Sequence, residues 1–212
     1  MLHQLNIFVH IVAGTLALIV GIITILKNRN IPAHRRWGTL FNYLLVVVVG
    51  TGFIGFLFFR QEPFFLMLTL ISGYVGFAGF RNIQLKEKRA TRIDALTASG
   101  CLIIAIIYGV YVIQAGAASN ATVIYATLGA LVLVTGYDLI KYFFCHRYLK
   151  KAWLYEHIYK MISACSALAS AFAGNVFRDY HPYSQLGPSV AGTLLILYFI
   201  WQRSTRKPLI QM

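Results

Sequence analysis

The chain has 212 residues, of which 58% are hydrophobic, and its formal net charge at pH 7 is +13. Its mean hydropathy of +0.68 and its long apolar runs exclude a water-soluble domain, because a membrane-spanning helix needs about 20 such residues. The residues between the runs are too few for a separate globular domain. The composition therefore predicts a single all-α bundle embedded in a membrane.

Seven apolar runs follow one another along the chain, and each predicts one transmembrane helix. Helices are favoured because a backbone in lipid must satisfy its own hydrogen bonds and no run alternates like a barrel strand. The third and seventh runs are near the lower length limit, so six spans is the alternative count. The predicted spans cover residues 4–26, 39–59, 64–80, 95–115, 121–143, 157–175 and 187–202.

The 19 Lys and Arg residues are concentrated in every second gap between the apolar runs. Short loops rich in these residues stay in the cytoplasm, so the pattern predicts an external N-terminus and a cytoplasmic C-terminus. The basic residues would then face anionic lipid headgroups, and other membrane proteins are further candidate partners. Their spread over several loops excludes a nucleic-acid site. The basic gaps and the C-terminal tail hold Lys27, Arg29, Arg35, Arg36, Arg81, Lys86, Lys88, Arg89, Arg92, Lys141, Arg147, Lys150, Lys151, Arg203, Arg206 and Lys207.

Ionisable side chains near the predicted cytoplasmic ends of spans two, five and six form an inner cluster. Its members are His34, Asp138, Glu156, His157 and Lys160. An ionisable group in a span is costly and usually faces a partner or a cavity. The favoured interpretation of the inner cluster is a set of ion pairs that ties helices together. The alternatives are a metal site of His34, Asp138 and His157, two imidazole ligands for a haem iron, proton handling for a quinone-like substrate, and binding of lipid headgroups. Glu156 and Lys160, four residues apart, share one helix face.

A second set of polar residues lies toward the predicted outer face. His10 is inside span one, whereas Asn175, Arg178 and His181 lie at the outer end of span six and in the following loop. That loop could cap a polar pocket over His10, which makes the four residues outer-side candidates for ligand or proton handling. A lone intramembrane histidine is more often bonded to a neighbouring helix than to a ligand, and the bond to a neighbouring helix is the favoured interpretation of His10.

The depth of the histidines constrains the choice of cofactor. A transmembrane haem with two axial histidines needs them at equal depth on facing helices. His10 has no intramembrane partner in the outer half, and the same-side pair, His34 with His157, lies at the membrane edge. A buried b-type haem is therefore disfavoured, and any cofactor stays open between haem and a metal ion. No hydrolase or nucleotide-binding motif is present.

Short motifs in spans one, two, five and six resemble a known family. The matching residues are His10, Gly14, His34, Arg35, Gly38, Asp138, Leu139, Trp153, Leu154, His157, Ile158, Met161, Ile162, Ala164, Ala171, Phe172 and Asn175. In these residues the chain resembles the bacterial membrane family known as domain of unknown function 2306 (DUF2306). The resemblance implies a multi-pass protein of the bacterial cytoplasmic (inner) membrane, and it implies no activity.

The expected function is that of a non-catalytic or small-ligand-binding membrane subunit, with the inner cluster at the cytoplasmic face. One alternative is a haem-, metal- or quinone-linked redox membrane protein. The other is a proton-coupled transporter of small solutes, with His10 and Asp138 as proton sites in opposite leaflets. The lack of a strong catalytic motif and the shortness of every soluble loop favour the first, and the sequence leaves open whether any reaction is catalysed.

Overall fold

A computed structural model describes residues 1–59, 63–114 and 121–205. Arg60, Arg206, Lys207 and residue 115, the predicted end of the fourth span, lie outside these residues. Within the described part the chain is helical and contains no β-strand. The α-helices are α1 (Leu2–Leu26), α2 (Ile31–Phe58), α3 (Pro63–Leu85), α4 (Arg92–Gln114), α5 (Ala121–Ile140), α6 (His146–Leu149), α7 (Trp153–Val176) and α8 (Tyr183–Thr205).

Six helical stretches of the described residues are long and apolar enough to cross a membrane. This confirms the all-α membrane class, whereas seven separate spans were expected. The difference arises between α5 and α7, where a π-helical turn, α6 and a 3-10 turn continue the helix, so that Val123–Val176 counts as one stretch of 54 residues. A straight helix of that length would measure about 80 Å, far more than the roughly 30 Å of a bilayer core.

The chain reverses direction inside this long stretch. Lys160 of α7 lies 2.6 Å from Asp138 of α5, although 22 residues separate them in sequence. In a continuous straight helix the same residues would be about 33 Å apart. The π-helical turn Lys141–Cys145 and the 3-10 turn Lys150–Ala152 therefore belong to a bend that brings the start of α7 back toward the end of α5.

Several helices start earlier than the hydropathy alone indicated, because local signals extend them. α2 starts at Ile31, eight residues before its predicted start at 39, and the Asn30 side chain caps it by accepting a hydrogen bond from the Ala33 N–H. α8 starts at Tyr183 instead of 187, which leaves Pro188 inside the helix. Polar residues that hydropathy assigns to loops are thus positioned by helices.

α7 lies at the centre of the bundle, where it packs against α1, α3 and α8. Its small residues allow this close approach. At Gly192 of α8, an added Cβ would lie 1.8 Å from the Ser166 Oγ atom, and at Gly76 of α3 it would lie 2.2 Å from Leu45. Large apolar side chains cover the outer surface of α1, α4 and α8, as a helix that faces lipid requires.

Interhelical contacts gather the ends of some helices and the starts of others at one end of the bundle. These contacts join the end of α1 to the start of α2, the end of α3 to the starts of α4 and α7, and the end of α5 to the start of α7. We call this end of the molecule the polar end. The contacts are Thr24–His34, Arg81–Asp94, Gly79–His157 and Asp138–Lys160.

Candidate functional site

A buried ion pair lies in the interior of the polar end. The Lys160 ammonium donates to both carboxylate oxygens of Asp138, at 2.6 and 2.8 Å, and both side chains are 0% exposed. The Tyr74 hydroxyl of α3 donates to the same carboxylate at 2.6 Å. A buried charge is tolerated when it is paired and its remaining lone pairs are satisfied. This trio links α3, α5 and α7 and leaves no net charge.

A second buried pair lies nearer the bend between α5 and α7. Lys141 donates to Glu156 at 2.5 Å, and the Tyr137 hydroxyl donates to the other oxygen of this carboxylate at 2.8 Å. The partners therefore differ from those that helical spacing suggested. Glu156 and Lys160 share a face of α7, but each bonds to α5: Glu156 to Lys141 and Lys160 to Asp138.

His34 and His157 meet at the polar end with their ring centroids 6.4 Å apart and their planes at 82°. The His34 Nδ1 atom lies 2.9 Å from the carbonyl oxygen of Thr24, and the His157 Nδ1 atom lies 2.9 Å from that of Gly79. A carbonyl oxygen can only accept a hydrogen bond, so Nδ1 carries the proton in both rings. In the neutral form each Nε2 atom then has a free lone pair, and neither makes a hydrogen bond to a described residue.

The three residues proposed as metal ligands do not form one site. Asp138 is occupied by Lys160 and Tyr74, and the described residues contain no group of three His, Cys, Asp or Glu side chains close enough to hold a metal ion. The geometry therefore does not support the ligand set of His34, Asp138 and His157. Of the three proposed ligands, the structure brings only His34 and His157 together.

A third ion pair was missed by the sequence reasoning. The Arg81 guanidinium of α3 binds both carboxylate oxygens of Asp94, at 2.6 and 2.9 Å, and Asp94 also accepts from the Thr91 backbone N–H at 2.7 Å. Asp94 lies in the first turn of α4 and bonds back to Thr91, as in a capping box. Asp94 is one of only six acidic residues in a strongly basic chain, a signal that could have predicted a cationic partner.

The outer candidates do not converge on His10. The His10 Nδ1 atom lies 2.8 Å from the Thr51 hydroxyl of α2, and Asn6 donates to the Thr51 carbonyl at 3.1 Å. Asn175 instead donates to the Ala171 carbonyl of its own helix. His10 thus bonds to a neighbouring helix, and no described hydrogen bond joins it to Asn175, Arg178 or His181.

The surroundings of His181 form a separate polar region at the start of α8. His181, Ser184 and Gln185 each have a buried polar atom without a partner among the described residues. Gln185 is 5% exposed and packs so closely on α7 that an added Cβ at Gly174 would lie 2.5 Å from it. These atoms lie at the far end of α7 from the two histidines, so they do not extend that site.

The fold and these sites define an all-helical, multi-pass membrane protein with charged and histidine side chains gathered at one end of its bundle. Comparisons with protein-family models, with curated proteins and with solved structures find no match. The resemblance to the domain of unknown function 2306 family therefore stays a prediction that rests on the short motifs alone.

Proposed function

We propose that this chain is a seven-span protein of the bacterial cytoplasmic membrane that binds a small ligand through His34 and His157, as a non-catalytic subunit. The N-terminus is outside and the C-terminus is cytoplasmic. The observation that carries the ligand-binding proposal is the pair of imidazoles, with ring centroids 6.4 Å apart, both Nδ1 atoms bonded and neither Nε2 atom bonded to a described residue. Two imidazoles that only packed against each other would not need hydrogen bonds from α1 and α3 to fix their orientation.

Two features support the proposed topology. The bend between α5 and α7 divides the 54-residue stretch into two helices of 20 and 24 residues, each long enough to cross a bilayer. Many of the basic residues lie at the polar end of the bundle. Those at or near helix ends there include Arg35, Arg81, Arg92, Lys141 and Lys151. Such an excess of Lys and Arg is typical of cytoplasmic loops.

The buried ion pairs favour a binding role over proton-coupled transport. A carrier needs an intramembrane group that takes up and releases a proton during its cycle. Asp138 and Glu156 each have a lysine partner and a tyrosine donor, so a proton added to either would compete with a short ion pair. These pairs are best explained as links that hold α3, α5 and α7 in the arrangement that positions His157.

The binding proposal can be tested on the full chain purified in mild detergent. Native mass spectrometry is expected to detect a bound species that is lost in the double variant His34→Asn/His157→Asn. Asparagine is chosen because its amide can still donate to the Thr24 and Gly79 carbonyls while it lacks an Nε2 atom. His10→Asn is the matched control, since His10 also bonds through Nδ1 but has no second imidazole beside it. Equal occupancy in the double variant and in the wild type would overturn the proposal.

A further inference from the structure

The separation of the two imidazoles discriminates between metal geometries. Metal–imidazole bonds are about 2.0 Å long, so two collinear bonds place the ring centroids about 6.3 Å apart, whereas a tetrahedral angle places them about 5 Å apart. The observed separation of His34 and His157 is 6.4 Å. With the two Nε2 atoms turned toward each other, this separation corresponds to an almost linear arrangement of nitrogen, metal and nitrogen, and it exceeds that of the tetrahedral site that Zn²⁺ prefers.

A linear pair of imidazoles suits either a haem iron with two axial histidines or a two-coordinate Cu⁺ ion. A haem needs a flat slot between the helices that carry its ligands. Beside His157, α3 packs closely on α7, since a Cβ atom at Gly79 would lie 2.8 Å from the Met161 sulfur and 3.0 Å from the Lys160 Cβ. A bare ion needs no slot.

A sulfur donor lies on the same helix as His157. Met161 follows His157 by four residues and therefore shares its face of α7. Both lie against Gly79: the His157 Nδ1 atom bonds to its carbonyl, and a Cβ atom added at Gly79 would lie 2.8 Å from the Met161 sulfur. Thioether and imidazole ligands together favour the soft monovalent copper ion over Mg²⁺, Ca²⁺ or Mn²⁺.

We infer that His34 and His157 bind a single Cu⁺ ion through their Nε2 atoms, with the Met161 sulfur as a weaker third donor. The inference rests on the proposed ligand-binding function and names its ligand. The neutral imidazole with its proton on Nδ1 is the form that binds the ion, because its Nε2 lone pair is free. The Thr24 and Gly79 carbonyls fix the tautomers, as hydrogen-bond partners of metal-bound histidines ordinarily do.

The test is an anaerobic titration of the full chain in detergent with Cu⁺, in competition with a chromophoric Cu⁺ chelator. We expect one ion per chain in the wild type. His34→Asn and His157→Asn should each weaken binding at least about 100-fold, because losing a ligand costs more than the 10–100-fold typical of a lost outer partner. Met161→Leu should weaken it about tenfold, and His10→Asn should leave it unchanged. X-ray absorption should show two nitrogen ligands at about 2.0 Å.

The outcomes separate this inference from the proposed function. If Cu⁺ fails to bind but another species is lost from His34→Asn/His157→Asn, the copper inference is wrong and the ligand-binding function stands. A Soret band in the purified protein that disappears in these variants would identify haem and overturn the copper inference. If the wild type binds neither Cu⁺ nor any other species, both proposals fail. Equal Cu⁺ affinity in His157→Asn and the wild type would also reject the site.

Discussion

Replacing Lys160 by Met tests whether the buried ion pair holds the polar end together. Methionine keeps most of the length and apolar volume of lysine and removes only the ammonium group that contacts Asp138. At the observed 2.6 Å, an effective dielectric constant of about 20 gives the pair a Coulomb attraction of about 6 kcal/mol. Part of this is offset because the orphaned carboxyl can take up a proton. We therefore expect the free energy of unfolding to fall by about 3–5 kcal/mol.

The measurement is equilibrium unfolding of the full chain in mixed micelles, followed by helix content and by tryptophan fluorescence. Lys150→Met is the matched control: Lys150 lies 3.9 Å from Glu87, and these side chains are 43% and 53% exposed. An exposed pair contributes about 0–1 kcal/mol, so this substitution should change stability little. The double variant Asp138→Leu/Lys160→Met should recover most of the loss, since it leaves no unpaired charge.

Three results would refute this reasoning. A loss below about 1 kcal/mol in Lys160→Met would mean that the ammonium group does not compensate Asp138. An equal loss in Lys150→Met would mean that the effect is not specific to the buried pair. Strictly additive effects of Asp138→Leu and Lys160→Met would mean that the two residues are not coupled, because residues in direct contact show interaction energies of about 0.5–3 kcal/mol.

Two further predictions concern helix packing and topology. Gly192→Ala should lower the free energy of unfolding by about 1–3 kcal/mol, because the new methyl group meets Ser166. Gly136→Ala, with nothing within 4 Å of the added atom, should leave the free energy of unfolding unchanged or raise it by up to about 1 kcal/mol. Thermal unfolding in detergent measures both variants, and equal losses would contradict the packing of α8 on α7. For the topology, an alkaline phosphatase fused to the N-terminus should be active, because that terminus is proposed to lie outside. A green fluorescent protein fused to the C-terminus should fluoresce, because that terminus is proposed to be cytoplasmic. Reporters found on the same side of the membrane would show an even number of spans and contradict the seven-span topology.

Hydropathy and spacing predicted the all-α membrane class because apolar length is a one-dimensional property of the sequence. The polar end was partly predictable for the same reason: charge asymmetry indicates which helix ends lie together. It placed His34, Asp138 and His157 in one layer, and the structure brings His34 to His157 and Asp138 to Lys160. Depth along the membrane normal was therefore informative.

Position around each helix axis was not predictable from these patterns. Which of two neighbouring lysines faces Asp138 depends on how α5 and α7 are rotated after the bend, and no local pattern encodes that rotation. The sequence therefore suggested Glu156 with Lys160, whereas each bonds across to α5. The tyrosines were missed for a related reason. A tyrosine within an apolar run adds to the hydropathy of a span, and only the packed structure shows that Tyr74 donates to a carboxylate.

The ion pairs and the histidines are best understood as one arrangement with two parts. Asp138 with Lys160 fixes the start of α7 against α5, and three residues before Lys160 on the same helix, His157 is held by the Gly79 carbonyl of α3. His34 is held separately, by α1. A change that lets α7 rotate would therefore alter the distance between the imidazoles without touching either ring. Lys160→Met should accordingly weaken ligand binding as well as stability, whereas Lys150→Met should change neither. A Lys160→Met protein that is destabilised but binds as the wild type does would show that the histidines are positioned independently of the ion pair.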